Sequence, residues 1–550
     1  MNSSDAAPNE QSRVTARLSI LHDNPGPVAR QGDRIISRTA FLSEIADLAR
    51  QLPDSPYIIN LCNDRYRFTV GWLAAMARGQ ITLLPSSRDI HAVAALRQDY
   101  APVSLLTDNA EEAWPTSTFV YPSLDLGHSR TIEPAFPPDQ VAAILFTSGS
   151  TGRPNPSPRR WGRLIAGAQA AGAALDVARF PGSALVATVP HGHSYGLESA
   201  VVLPLLYGLL LTAERPFFPA DVAAALEQDP MPAILVTTPV HLKALVGDAA
   251  GPGFGTSFRA GFVLSATAPL GDDLARRAED AFNAPVREIY GCSEAGQLAS
   301  RRTTEGPVWR TLDGFRLYRG ETGCWASGPT EDDVMLADEI EPVGPNTFTL
   351  QGRTADLVNV AGKRSSLGYL TQQLLAIEGV RDGVFLLPPS DADGATPRLA
   401  AVAIAPGQTP AQILARLRER IDAAFLPRPL HVVETLPRNE LGKLPRAELL
   451  RLIGKPVLIR FPADHPTGPG HFPGNPIIPG AVLLDEVLAA VFPDVGSGAI
   501  DAAKFHRPVR PGDTIAVTCH GDGAATRFEC RLTHSGADSG EIVLTGVVRL

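Results

Sequence analysis

Apolar residues in the first part of the chain recur at two different spacings. From Phe41 to Leu52 (FLSEIADLARQL) they fall three and four apart, the spacing of a helix with one buried face. Pro56 to Leu61 and Ile81 to Pro85 are short continuous apolar runs and read as buried strands, with a helix over Val70 to Arg78 between them. The alternation continues through the run Val141 to Leu145 and predicts a parallel sheet covered by helices on both faces. Ala184 to Val189, Ala233 to Val236, Phe262 to Leu264 and Glu288-Ile289 extend the strand series. The greasiest run, Ala200 to Thr212, contains Pro204 and Gly208 and is short for a membrane span, so it predicts a buried helix.

The loops at the strand ends are more informative than the strands. Val141 to Leu145 opens into Phe146-Thr-Ser-Gly-Ser-Thr-Gly-Arg-Pro154, where Gly149 and Gly152 let the backbone turn tightly with its N–H groups converging. Thr147, Ser148, Ser150 and Thr151 add hydroxyls, a chemistry suited to phosphate. It is not a Walker loop, because no Gly-Lys-Ser/Thr comes after it, and taken alone it reads equally well as a flexible turn. The later strands run into Pro190-His-Gly-His-Ser-Tyr-Gly196, Thr237-Thr238-Pro239, Ser265-Ala-Thr-Ala-Pro-Leu270 and Tyr290-Gly-Cys-Ser-Glu294. Ligands of open α/β sheets bind at the carboxyl ends of strands, so these loops are expected to line one cleft.

A second pattern begins after Leu452, with Gly454-Lys455-Pro456 as the boundary. A proline- and glycine-rich segment, Gly470-His-Phe-Pro-Gly-Asn-Pro-Ile-Ile-Pro-Gly480, leads into Ala481-Val-Leu-Leu-Asp-Glu-Val-Leu-Ala-Ala490, the signature of a helix start. Thr514 to Cys519, Arg527 to Leu532 and Glu541 to Leu550 alternate like antiparallel strands. One helix wrapped by such a sheet is a hotdog fold.

Composition narrows the partners. With 550 residues, 44% hydrophobic and 19% charged, the chain has material for about three domains of ordinary globular make-up. A formal charge of −9 argues against nucleic acid or an anionic membrane as principal partner. Five scattered cysteines without a CxxC pair read as reduced thiols in a cytoplasmic protein without a zinc site, and the polar stretch Met1 to Arg13 is not a signal peptide.

The motifs FTSGSTGRP, PHGHSYG, SATAPL, YGCSE, LAD, GRTADLVNVAGKR and PRNELGKLPR resemble, in order and spacing over about residues 14 to 452, the acyl-adenylate-forming superfamily. That resemblance implies a large multi-sheet α/β domain (14–353) followed by a small mobile α+β lid (354–452). It also implies attack of a substrate carboxylate on the α-phosphate of ATP. By the same resemblance Thr147, Ser148, Gly149, Ser150, Thr151 and Gly152 hold the β- and γ-phosphates. Glu294 is the Mg²⁺-associated glutamate, with Ser293 in place of the usual threonine. Tyr290 stacks on adenine, Asp338 accepts from the ribose hydroxyls, and Arg353 contacts the nucleotide. Lys443 bridges the attacking carboxylate and the α-phosphate, while His193, Ser265 and Ala266 line the acid pocket.

Two departures stand out. Asn155 replaces the lysine that normally comes after the loop proline, with Arg159 or Arg160 as possible substitutes, and Ala355 stands at the usual hinge position. The acceptor implied is CoA or the phosphopantetheine arm of a carrier protein, and residues 354–452 do not choose between them.

GHFPGNPIIPG, with Lys504-Phe-His-Arg-Pro-Val-Arg-Pro-Gly-Asp513, resembles 3-hydroxyacyl-carrier-protein dehydratases over about residues 456–550. The resemblance makes His471 the base that removes the α-proton and places Asp485 where the family has a glutamate serving the β-hydroxyl. Single hotdog units commonly pair, so a homodimer is expected. The fusion is similar to AMP ligases of aryl polyene or xanthomonadin-type clusters. The competing readings are an acyl-CoA synthetase with a hydratase tail, and a decayed ligase that binds nucleotide as a scaffold.

Overall fold

The early helices start where a short polar side chain can accept from the first free N–H groups. Ser37 accepts from Ala40 N at 3.2 Å and opens Arg38–Gln51, and Asp64 accepts from Arg67 N at 2.8 Å and opens Arg65–Ala77. The computed structural model describes residues 17–85, 88, 90–111, 114, 116–123, 131–147, 155–247, 259–328, 333–353, 357–360, 363–388, 398–438, 444, 446–453, 456–467, 475–491, 499–520, 526–533 and 541–549. They divide into two units, one holding residues up to 336 together with 342–349, the other 337–341 and the chain from 350 onward.

In the first unit the expected parallel sheet is two sheets. Five parallel strands lie in the order Val141–Thr147, Ile81–Leu84, Tyr57–Asn60, Val103–Thr107, Thr118–Val120. Asn155–Arg160 runs antiparallel along the Val141–Thr147 edge. A second parallel set runs Ala29–Gln31, Leu210–Thr212, Ala184–Ala187, Ala233–Thr237, Ala260–Ser265, Val286–Cys292. It turns antiparallel through Gly296–Arg302 and Val308–Thr311. Strands such as Ala184–Ala187 and Ala233–Thr237 are buried at every position, which is why they read as unbroken apolar runs.

The run Ala200 to Thr212 departs from the expected single helix. Helical turns cover Ser194–Leu197, Glu198–Val202 (a π turn) and Leu203–Tyr207. Gly208 then takes φ +64°, Leu209 N donates back to Pro204 O at 2.9 Å, and Leu210–Thr212 enters the sheet. A glycine free to adopt the left-handed region ends the helix, and a buried parallel strand is as apolar as the helix before it.

The second unit carries a small three-stranded sheet, Asp382–Leu386, Ala400–Ile404 and Leu430–Val432. Leu370, Leu374, Ile413 and Leu417 from two helices fill one core against it, and Leu449 and Leu450 of Arg446–Leu452 another. Beyond it, five antiparallel strands lie in the order Val457–Arg460, Thr514–His520, Thr526–Leu532, Ile542–Arg549, Ala499–Phe505. The helix Gly480–Val491 buries Leu483, Val487 and Val491 in the core of this sheet, giving the hotdog arrangement.

Two buried cationic or titratable groups pin the first unit. Arg65, fully buried at its helix start, donates to Thr212 O at 2.7 Å and Ala187 O at 2.8 Å, the ends of two parallel strands. The His191 ring packs tilted against Phe68, centroids 4.5 Å apart, with Nε2 2.9 Å from Cys62 O. Burial and the neighbouring Arg65 charge push its pKa down to about 3.

His191 is therefore neutral when folded, whereas the unfolded chain takes up a proton below about pH 6.5. Its contribution is complete above that pH and is lost as pH falls toward about 3. The melting temperature of the first unit is expected to fall across this window, and less steeply in His191→Gln. A parallel fall in both proteins contradicts this assignment.

Candidate active site

Of the expected acid-pocket residues, Ser265 ends the parallel strand Ala260–Ser265 and Ala266 follows it. Register pairs Thr237 with Ser265 and Ser265 with Glu288, so two neighbouring strands end at one level while Val286–Cys292 runs four residues further. Ser265 is fully buried and its Oγ has no partner among the described residues. Ala266 is buried beside it, and Thr267 holds φ +77°, a strained conformation for a β-branched residue. His193 is half-buried immediately before the helical turn Ser194–Leu197.

Two residues at these strand ends were not singled out from sequence. The buried Tyr195 hydroxyl lies 3.0 Å from Leu264 O and 3.2 Å from Thr237 O, tying the ends of adjacent strands. Thr188 and Thr237 share a hydrogen bond of 2.9 Å. The signal for Tyr195 was its place inside PHGHSYG, but its partners are backbone atoms of strands far along the chain.

Tyr290 sits within Val286–Cys292 and is 8% exposed. Its ring centroid is 5.8 Å from Trp309 and 5.9 Å from Phe348, and Arg301 lies 4.5 Å above Trp309. The strand then breaks register between Tyr290 and Gly291 to enter the turn that carries Ser293 and Glu294. A Cβ on Gly291 would lie 2.1 Å from Gly296 O, so only glycine lets the two sides of this turn approach.

The turn is fastened through its backbone. Ser157 Oγ donates to Ser293 O at 3.1 Å, and Arg163 donates to Glu294 O at 2.5 Å. Glu198 accepts from Gln297 N at 3.1 Å, and Gln297 Nε2 donates to Ser199 Oγ at 2.7 Å. The Glu294 side chain itself is exposed, and among the described residues no cation is paired with its carboxylate. An exposed carboxylate on a turn fastened from behind is a suitable ligand for a hard divalent cation such as Mg²⁺.

The substitute for the missing lysine is not found in Arg159, which turns inward and is 1% exposed. Arg160 donates to Asp139 O at 2.9 Å. Asn155 is exposed at the start of Asn155–Arg160.

Thr147 ends Val141–Thr147 and Arg353 ends Thr347–Arg353, with their side chains outside the described residues. Ser148, Gly149, Ser150, Thr151, Gly152, Lys443 and His471 also lie outside them. Asp338 opens Asp338–Gly344, half-buried. Asp485 projects from Gly480–Val491 on the side away from Leu483 and Val487, exposed along with Glu486. All five cysteines are free thiols.

Gly291→Ala is expected to lower the stability of the first unit by about 1–3 kcal/mol, because overpacking here meets backbone and not a movable side chain. Chemical denaturation of the variant beside the parent protein measures this, and an unchanged midpoint would contradict the close approach.

Comparison with known proteins agrees with this geometry. Residues 56–326 match the AMP-binding enzyme family, and residues 456–541 match the ApeI dehydratase family. A 4-coumarate–CoA ligase of Rhodobacter capsulatus is 31% identical over 309 residues, covering 56% of this chain and 75% of the relative. The 3-hydroxyacyl-(acyl-carrier-protein) dehydratase FabZ of Anaplasma phagocytophilum is 35% identical over 79 residues, covering 11% of this chain and 54% of the relative. The o-succinylbenzoate CoA synthetase MenE of Bacillus subtilis, solved with its acyl-adenylate intermediate, superposes with TM-score 0.64 at 17% identity, covering 78% of this chain and 96% of that one. The chain belongs to the AMP-binding enzyme family and joins that ligase to a C-terminal dehydratase domain of the ApeI type.

Proposed function

We propose that this protein activates an aryl or fatty acid as its acyl-adenylate, passes the acyl group to a thiol, and dehydrates 3-hydroxyacyl thioesters with its C-terminal domain. The observation that carries the ligase half is the delivery of Thr237, Ser265 and the Glu294 turn to one end of the parallel sheet. There the attacking carboxylate and the triphosphate are both anionic, so fixed donors and cations must hold them together. The loop 147–152 would donate to the β- and γ-phosphates and Lys443 would bridge the carboxylate and the α-phosphate. Asp338 and Arg353 would orient the ribose and Tyr290 the adenine. Glu294, with Ser293 beside it, would hold Mg²⁺, which supplies charge neutralisation when bound.

Pyrophosphate leaves and the acyl-adenylate is attacked by a thiol, for which the dehydratase partner favours a phosphopantetheinyl carrier protein over free CoA. Residues 14–353, 354–452 and 456–550 would act as large domain, mobile lid and dehydratase. In the last, His471 would take the α-proton while Asp485 protonates the departing hydroxyl. A carrier-bound starter acid followed by dehydration suits assembly of polyunsaturated chains of the aryl polyene kind.

The edge strand Ala499–Phe505 supports pairing of two such domains. Residues 500–505 are exposed, including Ile500 and Phe505, and an uncovered apolar edge favours strand addition.

Three measurements test this reading. With ATP and Mg²⁺, pyrophosphate release is expected from at least one of benzoic, cinnamic and medium-chain fatty acids, and its loss by at least about a hundredfold in Lys443→Ala. No release from any of them would overturn the ligase assignment. His471→Asn is expected to abolish dehydration of a 3-hydroxyacyl thioester while leaving pyrophosphate release unchanged, and dehydration at the parent rate would remove His471 as the base. Sedimentation is expected to show a dimer, reduced to monomer by Phe505→Asp, whereas a monomeric parent protein would remove the pairing.

A further inference from the structure

The buried charges behind the Glu294 turn have no part in the adenylation or dehydration chemistry. Asn155–Arg160 is an edge strand, which tolerates Pro156 and Pro158 because their missing N–H groups are not needed by a further neighbour. Its alternate residues Ser157 and Arg159 both point inward and are buried. They meet successive carbonyls of one turn: Ser157 Oγ donates to Ser293 O at 3.1 Å, and Arg159 Nη1 to Glu294 O at 3.3 Å.

The other arm of the guanidinium faces Glu198. Arg159 Nη2 donates to Ser194 Oγ at 3.0 Å and lies 3.6 Å from Glu198 Oε1. Ser194 Oγ in turn donates to that same oxygen at 2.8 Å. Glu198 begins the π turn, is itself almost fully buried, and its second oxygen accepts from Gln297 N on the far side of the turn. Gly296 lies between, at φ +76°, where a Cβ would stand 3.0 Å from the Glu198 carboxylate.

A buried ion pair gives little net stability, because desolvating both charges offsets most of their attraction. What this pair does is geometric. One rigid fork spans a helical turn and a backbone carbonyl, which an ammonium on a flexible stem cannot reproduce.

We propose that Ser157, Arg159 and Glu198 are positioning residues that hold the Glu294 carboxylate in place for a metal-bound triphosphate. The inference rests on the proposed nucleotide-binding role and goes beyond it by separating what holds the turn from what holds the rest of the nucleotide. Glu294 concerns the metal and the outer phosphates, so loss of the clamp weakens MgATP and leaves AMP, which lacks them, bound as before.

Calorimetric titration of the full chain with MgATP and separately with AMP provides the test. In Arg159→Met/Glu198→Gln, which removes both charges together, MgATP affinity is expected to fall about tenfold or more, with AMP affinity within about twofold of the parent. Arg159→Lys with Glu198 retained is expected to weaken MgATP as well, since it restores charge without the fork. Ser157→Ala leaves no charge unpaired and carries the test should the double variant not fold, with an expected loss of about threefold for MgATP alone. Unchanged MgATP affinity overturns the proposal, and so does an equal loss for both nucleotides, which marks a merely structural pair. A parent protein that binds neither nucleotide overturns the nucleotide-site reading and this inference with it.

Discussion

A guanidinium removed from water must be met on its several sides, or its burial costs more than its contacts return. At Arg159 the two terminal nitrogens meet a serine hydroxyl and a carboxylate from the segment Ser194–Glu198 and a backbone carbonyl from the Glu294 turn, while Nε is buried without a partner among the described residues. The strand after the glycine-rich loop, the PHGHSYG loop and the YGCSE turn cannot shift independently without exposing or stranding this charge. Arg65 applies the same constraint elsewhere, binding the start of one helix to the ends of two parallel strands. The large unit thus uses buried cations to fix backbone carbonyls where strands end and ordinary ladder bonding stops.

Parallel strands supply the other half of the arrangement. Because Ala233–Thr237, Ala260–Ser265 and Val286–Cys292 run in one direction, their terminal polar residues gather at one edge. Tyr195 and the Thr188–Thr237 hydroxyl pair bind those termini to one another. The C-terminal domain has a different plan. Its antiparallel sheet is buried on the face that receives Leu483 and Val487 of the helix Gly480–Val491.

Much of this was legible in the residues. Buried parallel strands announce themselves as apolar runs, and the polar residues that follow mark where those strands end, as Ser265 and Glu294 do. Three features were not legible, each for a physical reason. Leu210–Thr212 is as apolar as the helix before it, and only the left-handed Gly208 separates them. Arg159 and Arg160 look alike in sequence, yet one is buried because Glu198 waits for it across the fold. The strands Val457–Arg460 and Ala499–Phe505 lie at the two edges of the hotdog sheet, where exposed positions blur the alternation that reveals an inner strand. The site residues drawn from resemblance divide similarly, since Tyr290, Ser293, Glu294, Ser265 and His193 fall on strand ends and turns in the first unit.

The chain joins an AMP-binding ligase to a dehydratase domain, and adenylation is the central claim of the proposed function. Acid-dependent exchange of labelled pyrophosphate into ATP measures adenylation directly, without needing the acceptor thiol. Exchange that appears only when a cognate carboxylic acid is added is the outcome this account requires. Absence of exchange with every aryl and fatty acid offered, in protein whose dehydratase is active, would contradict it.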